Sequence, residues 1–171
     1  MEMAVLASLI LVTFPVTMAF AAANDLFTMK IPNRISVALI GGFVAIALLT
    51  RMPLETFATH IAIGFAVLGA TFALFSMNML GGGDAKLMAA GALWMGADHI
   101  VEFLAYVTIF GGILAVLILG YRNFVPANAF ALPDWARRLH TTGGGIPYGI
   151  AIAAGGLMLF PTTELFHLSA F

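Results

Sequence analysis

Long apolar runs, separated by short clusters of charged residues, glycines and prolines, dominate the pattern of the chain. A helix that crosses the hydrocarbon core of a bilayer needs about 20 predominantly apolar residues, and about 17 to 25 are tolerated. Dividing the sequence at its charges, glycines and prolines gives six such segments, of which the second and fourth are short for a full span. The pattern therefore predicts an all-α membrane protein with six transmembrane helices. They cover approximately residues 3–24, 35–49, 56–80, 85–97, 100–121 and 146–165.

The composition agrees with a chain that has the lipid bilayer as its solvent. Of the 171 residues, 62% are hydrophobic and 9% are charged, which is more apolar surface than a soluble domain of this length can bury. The net charge is -1 and no basic stripe alternates with aromatic residues, so a nucleic-acid partner is not expected. The chain contains no cysteine, which excludes disulfides, thiolate metal sites and a cysteine nucleophile.

The distribution of basic residues predicts how the spans are oriented. Cytoplasmic loops of membrane proteins carry an excess of lysine and arginine. If the loop that contains Lys30 and Arg34 is cytoplasmic, six spans place most other basic residues on that side and leave Arg51 outside. We therefore expect a multi-pass protein of the inner (cytoplasmic) membrane with both termini outside. The basic residues on the cytoplasmic side are then Lys30, Arg34, Lys86, Arg122, Arg137 and Arg138.

Two acidic residues, Asp25 and Asp84, stand at the cytoplasmic ends of predicted spans. Charges beside apolar spans are costly, so each one needs a physical explanation. Either residue alone is explained by a helix cap or by the water boundary of a span. As a pair at matched depth, two carboxylates can share one proton and activate a water molecule for attack on a peptide carbonyl. The pair therefore indicates an aspartic peptidase, which needs no metal, thiol or serine.

Three sequence motifs resemble those of a known family. Residues 81–87, GGGDAKL, fit the signature G-x-G-D-x-K-L, and Asp25 followed by residues 31–33, IPN, fits a first-aspartate motif D-x5-I-P-N. Residues 147–151, PYGIA, look like a P-x-G-x-A element at the start of the last span. The chain thus resembles the type IV prepilin peptidases among the G-x-G-D intramembrane aspartic peptidases, and the resemblance covers nearly its whole length.

The resemblance implies that Asp25 and Asp84 are the catalytic residues of an endopeptidase. Its substrate would be a membrane-anchored prepilin, which loses a short basic leader at the cytoplasmic face, with water as the nucleophile and without metal or cofactor. Larger bacterial members carry an N-terminal region with paired cysteines, linked to zinc and N-methylation, and the present sequence shows neither feature. We therefore expect a single transmembrane peptidase domain over residues 1–171, similar to the short branch that processes Flp (tight adherence) prepilins.

Several residues near the two aspartates are expected to support catalysis or substrate binding. The glycines would let a substrate backbone or a neighbouring helix approach a carboxylate, or would form a flexible turn. Lys86 would bind an acidic substrate residue, or would reflect membrane topology alone. Asn33 would orient Asp25 or, as we favour, cap the second span, and Pro32 fixes the chain ahead of that helix. The full set is Pro32, Asn33, Gly81, Gly82, Gly83 and Lys86.

The long connection from residue 122 to residue 145 is a further candidate for a functional element. Residues 135–138 predict a short amphipathic segment along the membrane interface. Because the connection lies on the same side as the two aspartates, we expect it to gate access to them.

Two other functions stay open at this point. A small transporter or channel component would use the same two acids to relay protons or bind a cation, and a catalytically silent assembly subunit would bind the pilin without cleaving it. Asp98, His99 and Glu102 form a compact polar group, with the i, i+3 spacing of helical metal sites between the last two. The four histidines are scattered, so we expect an outer loop there and no metal centre.

Overall fold

The computed structural model describes residues 2–126, 132–140 and 145–168, and the side chains from residue 6 onward. Over these residues the chain is helical, which confirms the predicted fold class. Three helices contain a segment long and apolar enough to cross a membrane, namely Leu6–Thr28, Leu54–Ser76 and Gly82–Phe124. The number of spans stays a prediction. The helices are α1 (Glu2–Thr28), α2 (Asn33–Leu49), α3 (Leu54–Ser76), α4 (Gly82–Phe124), α5 (Asp134–Leu139), α6 (Gly149–Leu159), a 3-10 turn (Phe160–Thr162) and α7 (Glu164–His167).

Helix α4 is a hairpin of two helices that reverse direction at Gly96. A straight helix of its 43 residues would be about 65 Å long, roughly twice the hydrocarbon core of a bilayer. Gly96 has φ 63° and ψ -169°, a conformation that is essentially restricted to glycine. A Cβ on Gly91 would lie 3.1 Å from Cζ of Phe103, so the second half folds back on the first. We call residues 82–95 α4a and residues 97–124 α4b.

This turn lies two residues earlier than the charge pattern predicts. The expected outer loop at Asp98 and His99 is wrong, because both residues belong to the first turn of α4b. Gly96 reverses the chain by itself while it is buried in the bundle, and no charge marks its position.

Helix α4a is the central helix of the bundle. Its residues 87–95 are all buried, so it is apolar on every side, as is typical of a helix surrounded by others. Trp94 donates its Nε1–H to the carbonyl oxygen of Leu39 in α2 at 3.1 Å, and its ring lies 5.1 Å from that of Phe14 in α1. Burial inside the bundle explains how a segment too short for a lipid-exposed span is accommodated.

The helices are arranged so that the two predicted catalytic residues reach the same end of the bundle. Helix α6 is antiparallel to α1, because Gly149 contacts Asp25 at one end and the ring of Phe160 stacks on that of Phe14 at the other. The end at which α4 begins, called here the Asp84 end, also contains the end of α1 and the starts of α2 and α6. The opposite end, the Gly96 end, contains the α2–α3 connection and α7.

The last predicted span, residues 146–165, is interrupted in the structure. Helix α6 has only 11 residues, and a 3-10 turn that includes Pro161 follows it. Thr163 then caps α7, its Oγ1 accepting the backbone N–H of Phe166 at 3.3 Å. The prediction of one continuous helix was wrong because Pro161, which has no backbone N–H to continue the helix, lies just after α6, and the polar residues Thr162, Thr163 and Glu164 come next.

Candidate active site

An open cleft of about 570 Å³ lies at the Asp84 end of the bundle. Two chain segments form it: the end of α1 with the α1–α2 loop, and the start of α4a. Asp25 and Asp84 both line this cleft, and the charge of Asp25 is close enough to act on Asp84. The cleft also contains every predicted supporting residue except Lys86. Its lining residues are Asp25, Met29, Lys30, Ile31, Pro32, Asn33, Gly81, Gly82, Gly83 and Asp84.

Asp25 is held by the start of α6. Helix α1 continues one turn beyond Asp25 to Thr28, so this aspartate lies within the helix and is only 5% exposed. Its Oδ2 accepts the backbone N–H of Gly149, the first residue of α6, at 2.8 Å. A helix N-terminus carries partial positive charge, so α6 supplies both a hydrogen bond and a favourable field to this carboxylate. A Cβ on residue 149 would lie 2.9 Å from the same oxygen, so only glycine permits this approach.

Asp84 is held by the first turn of its own helix. Gly81 is the N-cap of α4, and its backbone N–H donates to the Asp84 carboxylate three residues later. This is the reciprocal half of a capping box, in which a side chain at position N3 reaches back to the N-cap. A Cβ on Gly81 would lie 2.5 Å from Oδ2 of Asp84. The first glycine of the motif thus makes room for the aspartate of the same motif.

The loop between α1 and α2 fits closely against the glycines before Asp84. Helix α1 is followed by Met29, which has a left-handed φ of 54°. Asn24 donates from Nδ2 to the carbonyl oxygen of Lys30 at 2.6 Å and so fixes the loop to α1. A Cβ on Gly83 would lie 3.1 Å from Cβ of Ile31, which shows how near the two segments approach. The spacing between Asp25 and the following I-P-N segment therefore places that segment beside the second aspartate.

The predicted role of Asn33 as a helix cap is wrong. Pro32 is the N-cap of α2, with no side-chain hydrogen bond to the helix, and Asn33 is the first helical residue. The Oδ1 atom of Asn33 instead accepts a hydrogen bond from Nζ of Lys86 at 3.0 Å. Lys86 therefore reaches from α4a to the edge of the cleft without lining it.

The candidate gate contains the predicted amphipathic segment as helix α5. Nη1 of Arg138 donates to the carbonyl oxygen of Phe27 at 3.0 Å, and the ring of Trp135 meets that of Phe27 edge to face at 6.0 Å. On the other side, the hydroxyl of Tyr121 donates to the carbonyl oxygen of Ala136 at 3.3 Å. Helix α5 thus bridges α4b and the end of α1, two residues from Asp25. Residues 127–131 and 141–144 of the connection lie outside the described residues, and the gating role stays a prediction.

The other polar group, at the Gly96 end, does not join the cleft. Nδ1 of His99 pairs with Oε2 of Glu102 at 2.9 Å, as their spacing allows. Within the described part of the chain, no three histidine or acidic side chains are grouped so that they could hold a metal ion.

Gly149 holds a carboxylate of the cleft, although the sequence patterns gave it no role. Its P-x-G-x-A motif was identified, but only the folded chain brings it to Asp25, from 124 residues away. The neighbouring Tyr148 is also close enough for the charge of Asp84 to act on it. The sequence feature that could have indicated its role is the position of this glycine directly after a proline-containing turn, at the start of an apolar helix.

The fold and the cleft together define a helical membrane protein that presents two neighbouring carboxylates at one end of its bundle. Residues 12–116 match the type IV leader peptidase family. Because this match covers more than half of the chain and contains both aspartates, the chain belongs to that family. Membership makes it a peptidase with a membrane-anchored prepilin as substrate. No curated protein and no solved structure matches the chain.

Proposed function

We propose that the chain is an aspartic endopeptidase that removes the short basic leader of a type IV prepilin of the Flp class. The observation that carries this proposal is that Asp25 and Asp84 line one open cleft and interact electrostatically there. Each carboxylate has its own backbone donor, Gly149 for the first and Gly81 for the second. Hydrolysis by an activated water needs two oriented carboxyl groups, one ionised to act as the base and one protonated to act as the acid.

The reaction follows from the sharing of one proton between the two carboxyl groups. The ionised carboxylate takes a proton from a water molecule, whose oxygen attacks the scissile carbonyl carbon. The protonated carboxyl group gives its proton to the carbonyl oxygen, so a neutral tetrahedral diol forms. When the C–N bond breaks, a proton passes to the leaving nitrogen, and the leader is released with a new carboxyl group. The backbone hydrogen bonds at both aspartates limit their rotation and keep the oxygens directed into the cleft.

The basic residues at the Asp84 end bear on the membrane face that the cleft occupies and on the substrate residue that it can bind. We place the Asp84 end at the cytoplasmic face of the inner membrane, where the six-span topology puts most basic residues. Lys30 lines the cleft and Lys86 stands at its edge, which suits a substrate with an acidic residue near the cleavage site. In this proposal residues 1–171 form one transmembrane peptidase domain that cleaves the leader.

The test is cleavage of a purified Flp-type prepilin by the wild-type protein, Asp25→Asn and Asp84→Asn in the same detergent. Removing a general acid or base is expected to lower kcat by about 10²- to 10⁴-fold. Asp98→Asn provides the matched control, because Asp98 is an exposed aspartate at the opposite end of the bundle. If either cleft variant folds and cleaves at the wild-type rate, the aspartic mechanism is wrong. The same two carboxylates would then point to the alternative, proton or cation transport, measured as flux into liposomes.

A further inference from the structure

A second cavity, of about 420 Å³, lies beside the catalytic cleft between α2 and α3. Helix α4a lies behind it, and the small residues of its lining are Ala89 and Ala90 of α4a and Gly64 of α3. Its two walls carry large apolar side chains that are mostly exposed at the protein surface, including Val37 at 65% and Phe65 at 69%. We call this cavity the α2–α3 groove. Its lining residues are Asn33, Ser36, Val37, Ile40, Ile61, Gly64, Phe65, Leu68, Lys86, Ala89, Ala90 and Leu93.

The groove is closed at one end and open at the other. Near the Gly96 end, the ring of Phe43 in α2 stacks on those of Phe57 and His60 in α3, at centroid distances of 6.0 and 5.2 Å. Toward the Asp84 end the lining continues to Asn33, the first residue of α2. Ile40 lies seven positions after Asn33 in α2, so the groove is about 10 Å long, or two turns of a helix.

The open end of the groove meets the catalytic cleft. Asn33 lines both cavities, and its Oδ1 accepts the hydrogen bond from Lys86, which lines the groove. Lys86 therefore holds a positive charge at the junction of an otherwise apolar groove and a polar cleft. The polar lining residues of the groove are Asn33, Ser36 and Lys86, all in its half toward the cleft.

We infer that the α2–α3 groove binds the first two helical turns of the prepilin's apolar segment, directly after the scissile bond. This inference rests on the proposed function and adds a binding site to it. A membrane-anchored substrate must leave the cleft through the bilayer, and the groove is an apolar path that begins at a cleft residue. An acidic side chain on the substrate near the junction finds the Lys86 ammonium there, which provides complementary charge. Ala89 and Ala90 in the lining allow close approach of a helix, as small residues do at helix contacts within membranes.

The absence of cysteine from the sequence makes cross-linking a direct test. One cysteine is introduced at Val37 or Phe65 in the Asp84→Asn protein, which retains uncleaved substrate, and one into the prepilin within seven residues after its cleavage site. We expect a disulfide to form with both groove positions. The matched control is Val116→Cys, because Val116 on α4b is an apolar residue of the same type and is 69% exposed. Equal cross-linking at all three positions, or none at Val37 and Phe65, contradicts the inference.

A kinetic test fills part of the groove with a larger side chain. Val37→Trp narrows the groove, and we expect the KM for membrane-anchored prepilin to rise about tenfold with kcat little changed, since binding alone is weakened. Val116→Trp is expected to match the wild type. If Val37→Trp also matches the wild type, the groove is occupied by lipid and the inference fails, while the proposed function stands. If the wild-type protein itself does not cleave prepilin, the proposed function fails instead.

Discussion

At the scale of single residues, each carboxylate of the cleft depends on one glycine. Gly81 is three residues from Asp84, so their hydrogen bond forms within one helical turn. Gly149 reaches Asp25 only through the packing of α6 on α1, at an N···O distance of 2.8 Å. The first interaction is local and follows from the G-x-G-D sequence, whereas the second requires the whole bundle.

Replacing Gly149 by alanine tests whether α6 positions Asp25. The new Cβ would lie 2.9 Å from both Oδ2 of Asp25 and Cδ1 of Ile31, so the carboxylate must shift or lose its hydrogen bond. We expect kcat to fall about 10²-fold with a small change in KM, because misplacement of a reacting group affects the chemical step. Gly112→Ala on α4b is the control, since nothing lies within 4 Å of a Cβ there. Equal kcat values for the two variants would rule out this positioning role.

Lys86→Gln tests the charge at the junction of cleft and groove. Glutamine keeps a donor for Oδ1 of Asn33, which now accepts from Lys86 at 3.0 Å, but it removes the positive charge. An exposed ion pair contributes up to about 1 kcal/mol, so we expect KM to rise by up to about fivefold for a prepilin with an acidic residue at the junction. For the same prepilin with glutamine at that position, we expect the wild type and Lys86→Gln to have equal KM values. If Lys86→Gln also raises KM for the prepilin with glutamine, Lys86 does not pair with the acidic residue of the substrate.

The site was predictable from sequence only where its contacts are local or its chemistry is rare. Asp25 and Asp84 stand out because charge is scarce in this chain, and they do line one cleft. The acceptor role of Asn33 could not be predicted, because its partner Lys86 is 53 residues away on another helix. A polar residue after a proline has a sound local interpretation as a cap, and only the tertiary contact shows that this interpretation is wrong.

At the scale of elements, Gly96 decides whether α4 is one helix or two. Its φ of 63° is unfavourable for any side chain, and a Cβ would lie 2.7 Å from the ring of His60. The His60 ring is itself fixed by a hydrogen bond to the carbonyl oxygen of Leu93 and by stacking on Phe43. The turn at Gly96 therefore packs together with the rings of Phe43, Phe57 and His60, which close the α2–α3 groove.

Gly96→Ala is expected to destabilise the protein by about 2 kcal/mol or more, because it combines backbone strain with a clash against a fixed ring. The measurement is the apparent Tm of the purified protein in detergent. Gly69→Ala on α3 is the control, because nothing lies within 4 Å of its Cβ and alanine is favoured over glycine inside a helix. A Tm for Gly96→Ala equal to or above that of the control would show that the hairpin does not depend on this conformation.

The extents of the elements could be predicted where charges or prolines separate the apolar runs. The predicted span of residues 35–49 differs from α2, Asn33–Leu49, by two residues at its start. The apolar pattern does not mark the turn at Gly96, where the chain reverses without leaving the apolar interior. The end of α6 is marked by Pro161, but the predicted span runs past it. Hydropathy reports the surroundings of a residue, and at Gly96 the backbone changes direction within unchanged surroundings.

At the scale of the whole molecule, the fold separates the chain into two polar ends. The Asp84 end carries the cleft and helix α5, whereas the Gly96 end carries Asp98, the His99 and Glu102 pair, and α7. The proposed function requires the first end to face the cytoplasm, where a basic leader remains. The membrane orientation is therefore a condition for the mechanism and is open to a separate measurement.

That measurement uses two exposed aspartates at opposite ends of the bundle, Asp98 and Asp134. Each is replaced singly by cysteine in the cysteine-free chain, and right-side-out membrane vesicles are treated with a membrane-impermeant maleimide. We expect Asp98→Cys to be labelled in sealed vesicles and Asp134→Cys only after the vesicles are opened, because the basic residues of α5 favour the cytoplasmic side. The reverse pattern would place the cleft outside, where no leader is available, and would contradict the proposed cleavage even if both aspartates proved essential. Labelling of both in sealed vesicles would contradict the alternating arrangement of the helices across the membrane.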